Sequence, residues 1–389
     1  SYESIPASLA WDLNLPLPKC DMVKFESHGC GSIFDYFLNK IGIKSISGGD
    51  THSGKSVYIA FFNGINNGAR AIILRNYVSV RNKDGKKLHA LIQKPNILCL
   101  NQVRDPISSL RCHMSIRRAG NAPRVFNLSF DVKSLVSQLV CYNSAKGVDN
   151  TIPNTSNIYF WINFTYMCFH DSVLFEEMTN LKEVEFMDMS EIVGERTLQT
   201  LQRFADIFHT EVKEEDREFF LTRGHDFGGL LPLSLYLHNC DVEKVNINDV
   251  KSLSQSGGIY LYILKKFSKG DKEDVTEELL GESFKDFIVC LCLNKEDSIK
   301  LRKNQALFQR TKTYAKELVA HLIKQDEIEK SKKLTENDIL EVLGKDRALR
   351  ICVKEALDKH TKLIKSHRPD ILKSWKYYQE FLRICEVLD

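Results

Sequence analysis

Two rhythms of apolar and polar positions run along this chain. Met22 to Ser27 (MVKFES) reads as a short strand, HGCGS as a small-residue turn, and IFDYFLNKIG places its apolar residues at helical spacing. Ile97 to Gln102 (ILCLNQ) is a second strand, followed at once by VRDPISSLRCH, where Pro106 stands near a helix start that does not need its N–H. Ser56 to Phe62 (SVYIAFF) is apolar and β-branched and fits either a strand or a buried helix start. Leu128 to Val140 puts Phe130, Leu135, Val136, Leu139 and Val140 largely on one helical face. Ile158 to Phe164 is a further apolar run, and Glu183 to Met189 a further strand. GERTLQTLQRFADIFH repeats Leu198, Leu201, Ala205 and Phe208 as an amphipathic helix should.

Strands alternating with helices predict an α/β protein with a mostly parallel central sheet flanked by helices. Around residue 230 the character changes, and IYLYILKK and DFIVCLCL suggest a β pair. From Glu296 onward the chain is charged and helical. Thr335 to Asp338 is a capping-box-like start, Gly344 a stop, and His367 to Asp370 a break between the last helices. The proline-spotted opening, before Met22, reads as an irregular lead-in.

Composition narrows the class. Hydrophobic residues make up 43% and charged residues 27%, as in a globular protein. A net charge of +3 is too small to imply a nucleic-acid or membrane partner, though a local basic cluster could still receive an anion. The 11 cysteines include no CxxC pair and no zinc-site spacing, and Cys290 and Cys292 alternate with apolar residues as in a buried strand. Free thiols in a reducing cytosol fit better than a disulfide framework. No signal peptide is visible and no apolar run approaches the ~20 residues of a membrane span, so a cytoplasmic location is expected. The chain begins at Ser1 rather than Met, which fits removal of an N-terminal segment.

Two loops carry the candidate chemistry. In His28, Gly29, Cys30, Gly31 and Ser32, small residues let the backbone approach an anion, the following helix offers free N–H groups, and Ser32 adds a hydroxyl. His28 could give a proton or a charge. An ordinary tight turn between strand and helix would look the same. In the second loop Arg104, Asp105 and Pro106 precede Ser108 and Ser109, again at a strand's carboxyl end, where open α/β sheets bind ligands. Arginine's planar fork suits phosphate, and the serines are short donors. The alternative is an Arg–Asp pair that caps a helix.

The pair of loops resembles the sulfotransferase fold, in which the first loop holds the 5′ end of a nucleotide donor and the second its 3′-phosphate. SHGCGSIFDYF, ILCLNQVRDPISSLRCH, EFMDMSEIVGERTLQTLQRFADIF, LTENDIL and IKSHRPDILKSWKYYQEF also resemble a family of Campylobacter capsular-polysaccharide transferases. That resemblance implies a sulfotransferase-like, P-loop-type topology with a helical C-terminal extension. It implies a donor domain over residues 1–240 and a mixed β/helical region over 241–389 packing on it. The implied activity is transfer of phosphoramidate from a 3′-phosphorylated cytidine diphosphoramidate to a sugar hydroxyl of capsular polysaccharide or its sugar precursor. No cofactor beyond the nucleotide donor and no metal is implied, and peripheral association with the capsule machinery is compatible with it. Two departures stand out. The first loop lacks the usual lysine or arginine, and the serine usually found eight residues after the second-loop arginine is Cys112.

Further residues compete for roles. Gly49 to Ser56 (GDTHSGKS) satisfies the pattern G-x-x-x-x-G-K-[ST], although KSIS before it is a poor strand. A kinase or NTPase would use Lys55 there, with Asp188 as the magnesium-holding acid. A surface turn, or an active-site loop in which Asp50 or His52 takes the acceptor's proton, are the other readings. Glu26, His113, His170 and Asp171 are alternative bases, each with a packing or capping reading. Arg368, Trp375 and Lys376 combine cations with an aromatic ring that could stack on a nucleobase, or could form a helix joint. Outside phosphoramidate transfer, the rival functions are a sulfotransferase, a glycosyltransferase, a P-loop NTPase or kinase, and a non-catalytic polysaccharide-binding protein.

Overall fold

The structure, a computed structural model, describes residues 4–388 apart from 28, 50–51, 76–82, 93–96, 164–183, 222–226, 239–257 and 285–286. The strands, in chain order, are β1 (Met22–Glu26), β2 (Ser45–Gly49), β3 (Ala71–Arg75), β4 (Leu98–Val103), β5 (Arg117–Ala119), β6 (Val125–Asn127), β7 (Val140–Tyr142), β8 (Val184–Asp188), β9 (Leu233–Leu237), β10 (Ile259–Lys265), β11 (Glu273–Asp274) and β12 (Val289–Leu293). The first helices are α1 (Ala7–Asp12), α2 (Ile33–Lys40), α3 (Gly54–Asn66), α4 (Gly85–Leu91) and α5 (Pro106–Met114).

The chain forms two units, and the boundary expected at residue 240 is not where it divides. One unit joins Ser1–Met114, Thr155–Gly224 and Leu334–Asp389; the other joins Ser115–Asn154 and His225–Lys333. The second is thus an insertion in sequence, and the last helices belong to the first.

In the first unit five strands, all parallel, lie in the order β2-β3-β1-β4-β8. A central parallel strand is covered on both faces, so β1 is buried throughout. Val23 and Phe25 pack with α1, α3 and α4 residues such as Trp11, Phe61 and Leu88. Met22 faces the other way, onto Phe34 and Phe37 of α2 and Phe204 of the helix Arg196–Phe208. The chain leaves β1 toward one side of the sheet and β4 toward the other. The carboxyl ends of β1 and β4 therefore flank the topological switch point.

The second unit holds a sheet in the order β11-β12-β10-β9-β6. β10 and β12 pair antiparallel, as their sequences suggest. Ile259, Leu261 and Ile263 alternate into a core shared with Leu318 and Leu322 of the long helix Gln305–Ser331. Arg117 of β5 donates to Asp326 of that helix at 2.5 Å, and Tyr142 of β7 donates to its Glu329.

Several local expectations change. The opening segment is not a bare lead-in, because α1 buries Ala10 and Trp11. Ser56 to Phe62 lies within the helix α3. Only Val132–Ser137 of the 128–140 stretch is helical, since Val140 enters β7. The helix that begins after Thr335 runs past Gly344 to Lys345.

Candidate functional site at the switch point

The two loops singled out in the sequence meet here. Gly29 and Gly31 sit at φ +80° and +101°, conformations that glycine adopts without steric cost. A Cβ on Gly31 would lie 2.8 Å from the Gln102 side chain and 2.9 Å from Ile192. Arg104, just past β4, donates Nη1 to the Gly29 carbonyl at 2.8 Å. Gln102, in β4 itself, donates Nε2 to the carbonyls of Cys30 and Gly31, the latter at 3.0 Å. The loop carbonyls are thus turned toward β4 and tied down. Ser32 is exposed, and its hydroxyl has no hydrogen-bond partner among the described residues. Cys30 is buried in the core.

Cys112 stands beside the arginine. The Nη1 of Arg104 reaches its Sγ at 3.0 Å, so the eight-residue spacing along α5 returns this side chain to the loop. Ser109, fully buried, lies against Gly29, where a Cβ would come within 3.2 Å of its Oγ. Nε and Nη2 of Arg104 have no protein partner among the described residues, and the side chain is half-buried. They are the donors left for an anion.

Ser108 is a correction. Its hydroxyl donates to Glu336 at 2.9 Å, and Arg111 holds the same carboxylate at 3.2 Å. The N-terminus of α5 is not open either. Asp105 Oδ1 accepts from the N–H groups of Ile107 and Ser108, at 2.9 and 3.3 Å. Its Oδ2 accepts from Tyr377 and Tyr378 at 3.0 and 3.2 Å, so one carboxylate caps two helices. Burial pushes the Asp105 pKa up, and those four N–H groups pull it back. The alternative reading, an Arg–Asp pair, is absent among the described contacts, and Asp105 alone makes the cap.

The C-terminal candidates separate. Trp375 is buried and donates Nε1 to Asp188 at 2.7 Å, so it is a core residue rather than a platform for a nucleobase. Lys376 is exposed at the start of the helix Lys376–Leu388, next to the backbone that Asp105 caps. Arg368 donates to the Phe186 carbonyl of the edge strand β8 at 2.9 Å and pairs with Asp370, which protects an edge rather than binding a donor. A recess of about 400 Å³ lies beside Arg368, lined by Leu98, Cys99, Val184 and Phe186. Those residues mark the amino-terminal halves of β4 and β8, away from the two loops. Glu185 and His367 also line it, but it lies at the opposite ends of the strands from the switch point, where open α/β sheets bind ligands, and we take the crevice as the site on that ground.

The proposed acid His28 and, of the proposed bases, Asp50, His170 and Asp171 lie outside the described residues. His52 is exposed beyond β2, with β3 between it and β1. His113 is buried and stacks on Trp161 with ring centroids 4.7 Å apart, a packing role. The GKS stretch does run from strand to helix: β2 precedes it, Ser53 caps α3, and Lys55 pairs with exposed Asp12 at 2.8 Å. Yet β2 and β8 are opposite edges of a five-stranded sheet. Four strand spacings, roughly 19 Å, separate Lys55's element from Asp188's. Asp188 instead caps the turn Met189–Ile192. Gly54 is required by packing, since its Cβ would meet the Asp84 carbonyl at 2.4 Å.

Sequence reading missed one feature, although it named Glu26. Lys24, fully buried, pairs with Glu26 at 2.8 Å and Asp35 at 2.5 Å, and Arg75 closes the quartet onto both carboxylates. Burial alone would lower the Lys24 pKa, but Asp35 and Glu26 outweigh it and raise it. Burial pushes Glu26 up, with Lys24 pulling back. A lysine inside an apolar strand was the available signal. Among the described residues no group of three or more His, Cys, Asp or Glu is placed to hold a metal ion.

A family model described as a protein of unknown function, DUF2972, matches residues 186–388, just over half of the 389 residues. The chain belongs to that family. No curated protein and no solved structure matches the chain. The family match begins inside β8. It therefore takes in Glu336, Arg368, Trp375 and Lys376, whereas the first loop and Arg104 precede it. Among the described residues no helix is long and apolar enough to cross a membrane.

Proposed function

We propose that the crevice between β1 and β4 binds a nucleotide-activated donor and that the chain transfers phosphoramidate from it to a sugar hydroxyl of capsular polysaccharide. The donor would be a cytidine diphosphoramidate with a 3′-phosphate. The observation that carries the reading is the 2.8 Å bond from Arg104 to Gly29, which joins the two candidate loops at the switch point. The Nε and Nη2 of Arg104 and the hydroxyl of Ser32, without partners among the described residues, are suited to a donor's phosphates, with Ser109 and Cys112 lining the same corner. Lys376 stands at the rim as a further cation. The Campylobacter transferase resemblance supplies the phosphoramidate and the capsule sugar. A nucleotide donor and free thiols both fit a cytoplasmic setting.

The step is an in-line displacement. The acceptor oxygen attacks the terminal phosphorus, a sugar–O–P bond forms, the phosphoanhydride P–O bond breaks, and cytidine 3′,5′-bisphosphate leaves. We assign His28, between β1 and Gly29 in sequence, to protonate the leaving phosphate. The acceptor's proton goes to solvent, because Asp50 and His52 follow β2 in sequence and β3 stands between β2 and β1. Positioning and charge stabilisation supply most of the catalysis in such transfers. Phosphorus NMR of the protein with donor and polysaccharide tests this. A new sugar phosphoramidate signal, with stoichiometric cytidine 3′,5′-bisphosphate, is expected. Donor that stays intact with acceptor present, while protein and donor are shown to bind, contradicts it.

A further inference from the structure

The buried quartet flanks the first loop in sequence, with Glu26 ending β1 before it and Asp35 in the first turn of α2 after it. In register across the sheet, Gly49, Arg75, Glu26, Gln102 and Met187 form one row at the strands' carboxyl ends. Arg75 thus neighbours Glu26, three residues before Gly29, at a strand spacing of about 4.8 Å. The four charges are not equivalent. Side-chain exposure is 0% for Lys24, 5% for Glu26 and 7% for Asp35, but 35% for Arg75. Only Arg75 reaches solvent. Its Nε donates to Glu26 and its Nη2 to Asp35, while Nη1 has no partner among the described residues. Gln102, next in the row and fully buried, leaves its Oε1 without a partner there too. That amide oxygen can only accept, so it calls for a donor such as a water and not for the anion itself.

The described residues of the first loop contain no cation. We propose that Arg75 is the cation that meets the phosphoanhydride of the ligand in this crevice, and that Glu26 and Asp35 hold it in place until that anion competes for it. A guanidinium shared between two carboxylates is pre-oriented, and an incoming phosphate replaces one of them as its bidentate partner. The carboxylate it gives up stays paired with Lys24, so no buried charge is stranded. The inference rests on the crevice being a donor site.

Calorimetric titration of inorganic pyrophosphate and of cytidine 3′,5′-bisphosphate tests it. Arg75→Gln alone leaves two buried carboxylates facing one lysine and is unsuitable, because it can fail to fold. The double variant Asp35→Asn with Arg75→Gln keeps the cluster neutral. It is expected to fold and to bind both probes on the order of tenfold more weakly or worse. Asp35→Asn alone frees one side of Arg75 and is expected to bind a few-fold more tightly, which a merely structural quartet would not produce. A folded double variant that binds like the wild type overturns the inference and leaves the donor site standing. Binding unchanged or weakened in Asp35→Asn also overturns it. If the wild type binds neither probe, the donor-site reading falls and this inference with it.

Discussion

Asp105 shows how much one side chain can decide. Its two oxygens serve α5 and the helix Lys376–Leu388, whose contacts are 272 and 273 positions away in sequence. Asp105→Ala removes both caps and is expected to cost about 2 kcal/mol in urea denaturation, at roughly 1 kcal/mol per cap. Asp105→Asn keeps one acceptor oxygen and costs less. The sequence marks Asp105 as a residue at a strand end, but nothing local reveals its second helix. Trp375 was ambiguous for the same reason, because its partner Asp188 is 187 positions away. Gly31 is the opposite case, legible as a turn glycine from its neighbours alone. Gly31→Ala forces a Cβ onto Gln102 at φ +101°. The variant is expected to keep its fold by circular dichroism, lose ~1–3 kcal/mol of stability and lose anion binding at the loop.

Elements were legible where periodicity was long and undisturbed. The helix Arg196–Phe208 and the alternating β10 follow their patterns. The capping box at Thr335 closes as written: its Oγ accepts from Asp338 N–H at 3.2 Å and its own N–H returns to Asp338 at 2.6 Å. Short elements decided by partners were not legible. β2 has few apolar residues, yet forms because β3 offers an in-register edge. α1 hides between prolines and is held by the packing of Trp11 on Tyr58. In the second unit, the pairing of β5 with the helix Gln305–Ser331 gives a pH prediction. Burial alone would raise the Asp326 pKa, but Lys330 and Arg117 outweigh it and hold it below the usual carboxylate range. A native pKa below the unfolded one adds stability at neutral pH, and that share is lost as pH falls through the ordinary aspartate range to the native pKa. Asp326→Asn leaves Arg117 buried without its counter-ion. Denaturation at pH 7 is expected to show about 3–5 kcal/mol lost. The variant's stability is expected to fall less steeply than the wild type's between about pH 5 and 2.

At the scale of the molecule, the strand order carries the functional argument. The order β2-β3-β1-β4-β8 places the first loop and Arg104 side by side at the reversal point, while the GKS stretch follows an edge strand. The parallel α/β class was readable from alternating strands and helices. The order was not, because it depends on which side of β1 each crossover takes. The insertion of the second unit was hidden as well, since both of its segments read as ordinary strands and helices. Thermal unfolding with cytidine 3′,5′-bisphosphate, adenosine 3′,5′-bisphosphate and Mg-ATP tests the central claim most directly, because a ligand that binds only the native state raises its stability. Cytidine 3′,5′-bisphosphate is predicted to give the largest rise in Tm, equal in the wild type and Lys55→Ala and absent in Gly31→Ala. A rise with Mg-ATP alone, abolished by Lys55→Ala and untouched by Gly31→Ala, would contradict the account and move the site to the edge of the sheet.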